Sequence, residues 1–391
     1  MKSNHNIIVL ETGHILKNRP ASGDCWLEKI SRYLPAQYRL TIILPKFATS
    51  HWQKPPIPVN YHFLPATPFD NHTNPLLICC NYFWRTIAGY NILKEFDSFN
   101  IVYSSTDIFP DIIPAWFFKL SHRQIQWIAQ VHHLLPPPGK RQGNWLINTI
   151  ALYWQKISLG CLKTHGDLVL VNNQLIYQQL VRMGFDKSKL AVVGAGINYQ
   201  AIKQSKIIHG LPSYEAIFLG RLHQTKGVDD LVPIWKQVVK ALPSAKLGVI
   251  GDGPSSILNK LHRQINDNQL VDNMTLIGHI ENNSKLFSIL KKSRLFLFTD
   301  HEAGWGLAAA EAMACGLPVI GFDIGVLGNV FTKGYLKVPA FNLRAFSRAI
   351  IYLLKNEKQR SKLSQEAIIQ AKQLDWQVAA NKFNHLLQQF C

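Results

Sequence analysis

Along the first half of the chain, short apolar runs rich in β-branched residues alternate with longer stretches whose apolar positions recur every three or four residues. "NIIVL", "RLTIILP", "FNIVYSS", "IQWIAQVHH" and "HGDLVLVNN" read as strands, with helical patterns at "GDCWLEKISRYLP" and "LIYQQLVRMGF". The second half repeats the alternation. Its strands are "EAIFLGR", "AKLGVIGDG", "NMTLIGHI", "RLFLFTD" and "LPVIGFD", and its helices include "GVDDLVPIWKQVVKAL", "SSILNKLHRQINDN" and "LRAFSRAIIYLLKN". Strands that alternate with helices imply βαβ units and a parallel sheet, so two such runs predict an α/β chain of two doubly wound domains. The pattern changes at "LAVVGAGINYQAIKQSKIIHGLPSYEA", which sets the domains at 1–205 and 206–391. A single last helix, "SKLSQEAIIQAKQLDWQVAANKFNHLLQQF", is long enough to return to the first domain. A ligand is expected in an interdomain cleft, beyond the carboxyl ends of the strands.

Composition narrows the picture. With 391 residues, 47% of them hydrophobic and 17% charged, the chain is globular rather than disordered or fibrous. Forty-two basic against 24 acidic residues give a net charge of +18 spread over both halves, which fits a basic face and an anionic partner. No recognised nucleic-acid-binding module accompanies that charge, and no nucleic acid is expected. Six cysteines without a CxxC pair or zinc-type histidine spacing, and an N-terminus without a signal pattern, point to a reduced cytoplasmic protein. The apolar stretches "NPLLICCNYFW" and "WLINTIALYW" are shorter than the roughly 20 residues that span a bilayer. "GKRQGNWLINTIALYWQKISLGCLK" sets Trp145, Tyr153 and Trp154 between basic flanks. It reads either as a core helix or as one lying peripherally on the inner, anionic face of a membrane.

Candidate chemistry concentrates in the second half. In "FLGRLHQTKGV" a strand ends at Gly220, and Arg221 and Lys226 follow just before a helix. Two cations at a strand end beside a helix N-terminus make an anion site suited to a diphosphate; taken alone they read equally well as solvated surface charges. "VGAGIN" and "IGDGPS" do not complete GxGxxG, because Tyr199 and Ser256 stand at the third glycine position, so no NAD fingerprint is present and their glycines read as turn residues. In "HEAGWGLAAAEAMACGLPVIGFDIG" the loop leaving a buried strand carries Glu302 and an expectedly exposed Trp305. The helix "LAAAEAMAC" that follows carries Glu311 one turn in. A carboxylate there can accept both hydroxyls of a ribose; alternatively Glu311 caps and Glu302 is solvated. No Asp-x-Asp metal pair stands at a suitable strand end, since Asp229 and Asp230 open a helix.

The order GR…KG, then GDGP, then a glutamate-bearing loop with "EAMACGLPVI" resembles the retaining nucleotide-sugar glycosyltransferases of family 4 (glycosyl transferases group 1), most strongly over residues 216–325. The resemblance implies the GT-B fold of two facing Rossmann-like domains, the first binding an acceptor and the second the donor. It implies a metal-independent, hexosyltransferase-type enzyme without a cofactor. The sugar would pass from a nucleotide-diphosphate sugar to a hydroxyl of a glycan or lipid-linked acceptor, in polysaccharide or glycolipid biosynthesis. Arg221 and Lys226 match the family's cation pair on the donor diphosphate, beyond the strand that ends at Gly220. Glu311 matches the ribose-binding second glutamate of an E-x7-E motif, and the backbone of Gly304, Trp305, Gly306, Leu307 and Ala308 would touch sugar and phosphate. Gly278 and His279 lie where the main chain reads the base. "QVHHLLP" is similar to a strand-end VHD motif, so that His132 would face the sugar, with His133 in place of the aspartate. "SGDCW" resembles the glycine-bearing first loop, with Gly23 near the phosphates and Ser22 replacing a second glycine.

Two positions depart from the pattern. The first glutamate belongs at Ala303, yet Glu302 gives E-x8-E; a one-residue bulge beside Gly304 is expected to restore it, and without the bulge the sugar contact is lost. Asn329 stands where a glutamate is common. Two other readings share the fold: a nucleotide-sugar 2-epimerase, which needs further acid/base carboxylates, and a non-catalytic nucleotide- or glycan-binding member, which the displaced Glu302 keeps open.

Overall fold

The computed structural model describes residues 5–14, 25–52, 55–72, 74–96, 99–140 and 144–390. They divide into two compact units, one of residues 1–195 with 376–391 and one of residues 196–375.

In the first unit seven strands form one parallel sheet: β1 His5–Leu10, β2 Tyr38–Pro45, β3 Val59–Leu64, β4 Ile101–Ser104, β5 Gln126–Val131, β6 Leu168–Val171 and β7 Leu190–Val192, ordered 3-2-1-4-5-6-7. Its helices are α1 Trp26–Ser31, α2 Pro75–Leu93, α3 Phe109–Ser121, α4 Trp145–His165 and α5 Gln174–Arg182. In the second unit six parallel strands, β8 Ala216–Leu219, β9 Leu247–Ile250, β10 Met274–Gly278, β11 Phe296–Phe298, β12 Val319–Phe322 and β13 Tyr335–Val338, are ordered 10-9-8-11-12-13. Around them run α6 Tyr199–Gln204, α7 Val228–Ala241, α8 Ser255–Asp267, α9 Asn283–Lys292, α10 Leu307–Ala314, α11 Leu343–Lys355 and α12 Glu357–Lys372, and α13 Trp376–Leu387 belongs to the first unit. Central strands such as β4, β6, β9 and β12 are buried throughout, because helices cover both faces of a parallel sheet. Asparagines cap the starts of α2, α4, α5, α6, α9, α11 and α12, each side chain accepting from a backbone N–H one or two residues into the helix.

The division between units falls at Ala195 rather than near residue 205. Ile197 N–H donates to Leu374 O at 2.8 Å and Tyr199 N–H to Asp375 Oδ2 at 3.1 Å, which fastens α6 to the second unit. The same contacts correct the reading of one last helix. The chain breaks between α12 and α13, where the carboxylate of Asp375 is drawn to α6 and residue 375 forms a bridge with Ile197. Only α13 returns to the first unit, where Phe383 packs edge-on against Trp26 at 5.3 Å and near Tyr103 at 5.7 Å.

Candidate functional site

In the second unit the strand order turns back at β8, which pairs with both β9 and β11. A switch of this kind brings two strand-end loops together and opens a binding edge. One loop carries Gly220 and Arg221, the other Thr299 and Asp300. The 3-10 turn Gln224–Lys226 follows Arg221 and ends on Gly227 in the left-handed region (φ 62°). A Cβ on Gly227 would lie 2.0 Å from Thr299 O, so only glycine lets the turn seat against the end of β11. Thr299 Oγ1 donates to Lys226 O at 2.9 Å, and Lys226 Nζ forms an ion pair with Asp300. Burial pushes the Asp300 carboxyl above the usual carboxylate range, and the Lys226 charge opposes that rise. Asp300 was not singled out from the sequence. His301 Nε2 meets Asp230 Oδ2 at 2.7 Å, and Asp229 and Asp230 open α7 as expected. Arg221 is exposed.

The other strand ends of this sheet lie on the same edge. Gly251, after β9, would place a Cβ 1.8 Å from Gly220 O, so the "GDGP" glycine serves close packing against the Arg221 loop. Leu222 N–H donates to Asp252 O at 2.8 Å across that contact. Gly278 closes β10 with φ 79° and open space around it, accepts from Gly251 N–H at 3.0 Å, and is followed by the exposed His279.

After β11, the N–H groups of His301 and Glu302 both point at Thr225 O, at 2.8 and 3.3 Å. The left-handed residue of this loop is Gly306 (φ 95°), the N-cap of α10, rather than a position beside Gly304. Trp305 departs from its expected exposure: it is buried, edge-on to Phe331 at 6.0 Å. The strip therefore offers backbone and not an aromatic face, while Glu302, Gly304, Gly306, Leu307 and Ala308 stay partly exposed. Ala309, Ala310 and Ala312 are fully buried and let α10 sit close to the sheet. Glu311, half-buried in this setting, has its carboxyl pushed up to about 7 by burial. Asn329 Nδ2 donates to Gly325 O at 2.8 Å and so holds its own loop.

In the first unit His132 follows β5. Its Nε2 lies 2.8 Å from Ser105 O, which can only accept, and its Nδ1 lies 3.0 Å from Asn172 Nδ2, which can only donate. Asn172 is held in that orientation because its Oδ1 accepts from Gln130 Nε2 at 2.8 Å, and Gln130 Oε1 accepts from Tyr103 OH at 2.7 Å. In this arrangement the ring can donate from Nε2 to Ser105 O and accept at Nδ1 from Asn172. Behind it, Gln155 of α4 donates to both His133 O and Asp107 Oδ2 at 2.7 Å, and burial raises the Asp107 carboxyl. Gly23 and Ser22 lie outside the described residues.

Residues 200–370 match the family model of Glycosyl transferases group 1. Poly(glycerol-phosphate) alpha-glucosyltransferase of Bacillus subtilis is 32% identical over 158 residues, which are 39% of this chain and 23% of that protein. Across the first three curated relatives the match spans 23% to 63% of the relative's length. Among solved structures, HepE of Anabaena, crystallised in complex with UDP, superposes with a TM-score of 0.73 at 16% identity over 98% of this chain and 100% of that one. Sucrose-phosphate synthase of Thermosynechococcus elongatus gives 0.75 at 16% identity over 98% of each chain. The chain thus has the GT-B fold, and its segment 200–370 is similar to the glycosyl transferases group 1 family.

Proposed function

We propose that the protein is a retaining, metal-independent glycosyltransferase of family 4. In this reading it moves a hexosyl group from a nucleotide-diphosphate sugar to a hydroxyl of a glycan or lipid-linked acceptor, at the cytoplasmic face of a membrane. The observation that carries this reading is the meeting of Arg221, Lys226 and the start of α10 around one sheet edge, with Glu311 one turn into that helix. Arg221 and Lys226 hold the donor diphosphate and stabilise the charge that grows on it as the glycosidic bond breaks. The departing phosphate oxygen takes the proton of the attacking hydroxyl on the same face of the sugar, so no protein nucleophile is required. Glu311 accepts the ribose hydroxyls, Gly278 and His279 meet the base, and the backbone from Gly304 to Ala308 meets sugar and phosphate, with Glu302 on the sugar. His132 belongs to the same proposal as a positioning group whose ring has both nitrogens engaged, and Gly23 as a phosphate neighbour. The domains follow as acceptor-binding for the first unit and donor-binding for the second.

The UDP in the HepE crystal makes UDP the first nucleotide to try. Calorimetric titration of the full chain with UDP, GDP, ADP and CMP, and with their sugar conjugates, should show selective binding of one diphosphate and its sugar. Binding of none would refute the donor site.

A further inference from the structure

The solvent side of α2, α3 and α4 is apolar in a way the donor site does not explain. On α2, Leu76, Phe83, Trp84 and Ile87 share one face at helical spacing and are 49% to 69% exposed. The three helices pack side by side, with the ring of Trp154 on α4 lying 6.0 Å from Tyr82 on α2 and 5.2 Å from Phe109 on α3. Phe117 extends the patch on α3, and Trp145, Tyr153 and Ile157 extend it on α4, all exposed. Soluble monomers seldom leave so many large apolar side chains uncovered together.

Charge on these helices has one sign. Their single acidic residue, Asp111, is fully buried and accepts from Thr12 N–H. Lys156 and Lys163 of α4 are exposed, and so is Lys94, which follows α2 and is itself followed by the exposed Glu95. Two of these ammonium groups rest over aromatic rings of the same helices, Lys156 at 5.4 Å from the Tyr153 centroid and Lys94 at 4.8 Å from that of Tyr90. A second copy of the face would offer the α4 lysines no exposed carboxylate on these three helices. A bilayer with anionic headgroups matches both parts at once, because Trp and Tyr rings settle at the headgroup level while lysines reach the phosphates. Among the described residues no helix is long and apolar enough to cross a membrane, so the face would lie on it.

We propose that α2, α3 and α4 form one docking face for the surface of an anionic lipid bilayer, with Trp84 and Trp145 inserted at the headgroup boundary. The proposal names the surface behind the membrane location given above and stands independently of the donor reading. α4 presents Trp145 and Tyr153 outward while its Gln155 braces the His133 carbonyl inward, so docking face and strand-end loop are two sides of one helix.

The test floats the full chain with vesicles of phosphatidylcholine, alone or with phosphatidylglycerol, and repeats the anionic case with brominated acyl chains to quench tryptophan. Trp84 and Trp145 are the exposed tryptophans among the described residues, at 52% and 63%. Expected are about tenfold stronger flotation with the anionic vesicles and quenching by the brominated lipid. The Trp84→Phe, Trp145→Phe double variant should still float but lose most of the quenching. The Trp84→Glu, Trp145→Glu variant should float about tenfold less at an unchanged melting temperature. Absence of flotation, flotation without quenching, or flotation unaffected by the glutamates overturns the proposal. A lipid-free dimer dispersed by the glutamates overturns it in favour of a second copy. Wild type that floats but binds no nucleotide would sink the donor reading and leave this one standing.

Discussion

Replacing Glu311 with glutamine should trade nucleotide affinity for stability. Burial lifts this carboxyl from 4.5 to about 7, which amounts to roughly 3 kcal/mol of cost for ionising it inside the fold. The folded value lies above the unfolded one, so the folded chain keeps the proton longer. The cost is absent below pH 4.5, grows as pH rises towards 7, and is complete above that. Glu311→Gln removes it, so the variant should exceed wild type by up to about 3 kcal/mol at pH 8 and match it near pH 4. Binding runs the other way. In the proposed donor site ribose hydroxyls donate to the ionised carboxylate, whose population rises from about a tenth at pH 6 to about nine-tenths at pH 8, so wild-type affinity should rise about tenfold over that range. The variant should bind about 10- to 100-fold more weakly at pH 8, the worth of a hydrogen bond to a charged group. Its own pH profile supplies the contribution of the diphosphate's ionisation. Calorimetry with UDP and thermal melts across pH read both quantities. Equal pH slopes in the two proteins, or a melting difference no larger at pH 8 than at pH 4, would refute the assignment.

Arg221→Ala and Lys226→Ala should each lower transfer by about 10² to 10³-fold, yet differ in stability. The lysine variant removes the ion-pair partner of buried Asp300 and leaves only the weaker influence of His301 and Arg221, so its melting temperature should fall at pH 8 and recover with Asp300→Asn, while the arginine variant should lose less; identical melts would detach Asp300 from Lys226. Asn172→Asp turns the donor facing His132 Nδ1 into an acceptor. Ring ¹⁵N spectra at pH 7 should then change from a neutral Nε2–H imidazole to an imidazolium, and a wild-type ring protonated on Nδ1 would contradict the hydrogen-bond chain.

The central strands were readable because strands buried on both faces are continuous apolar runs. The outermost strands β3 and β13 escaped notice: their burial is broken by exposed or half-exposed positions, and their pairing depends on a neighbour rather than on their own pattern. α2 was visible only as an apolar stretch, and α4 as a helix whose outer face could not be told from a core face, since an exposed face that is itself apolar erases the contrast on which helical periodicity rests. Trp305 was misjudged from its place in a loop; it is buried, edge-on to Phe331 of a different segment. Asp300 stood in plain view at the end of "RLFLFTD", but its partner Lys226 is 74 residues away and meets it only because β8 and β11 are neighbours.

The same adjacency explains why the order of the glycine-bearing motifs carries more information than any one of them. Gly251 lacks a Cβ because the carbonyl of Gly220 occupies that place, and Gly227 because the carbonyl of Thr299 does. Each glycine in one motif is therefore required by the backbone of another. Neither needs a ligand to account for it, which is why "IGDGPS" alone pointed only to a turn. Together they press the ends of β8, β9 and β11 into one edge and fix where Arg221, Lys226 and Asp300 stand. A cation pair on a loop free to move would have to be ordered by its anion at an entropic cost. Here Lys226 is held by Asp300 and by the seating of Gly227, so the charge is positioned before any ligand arrives, as the proposed stabilisation of a leaving diphosphate would require.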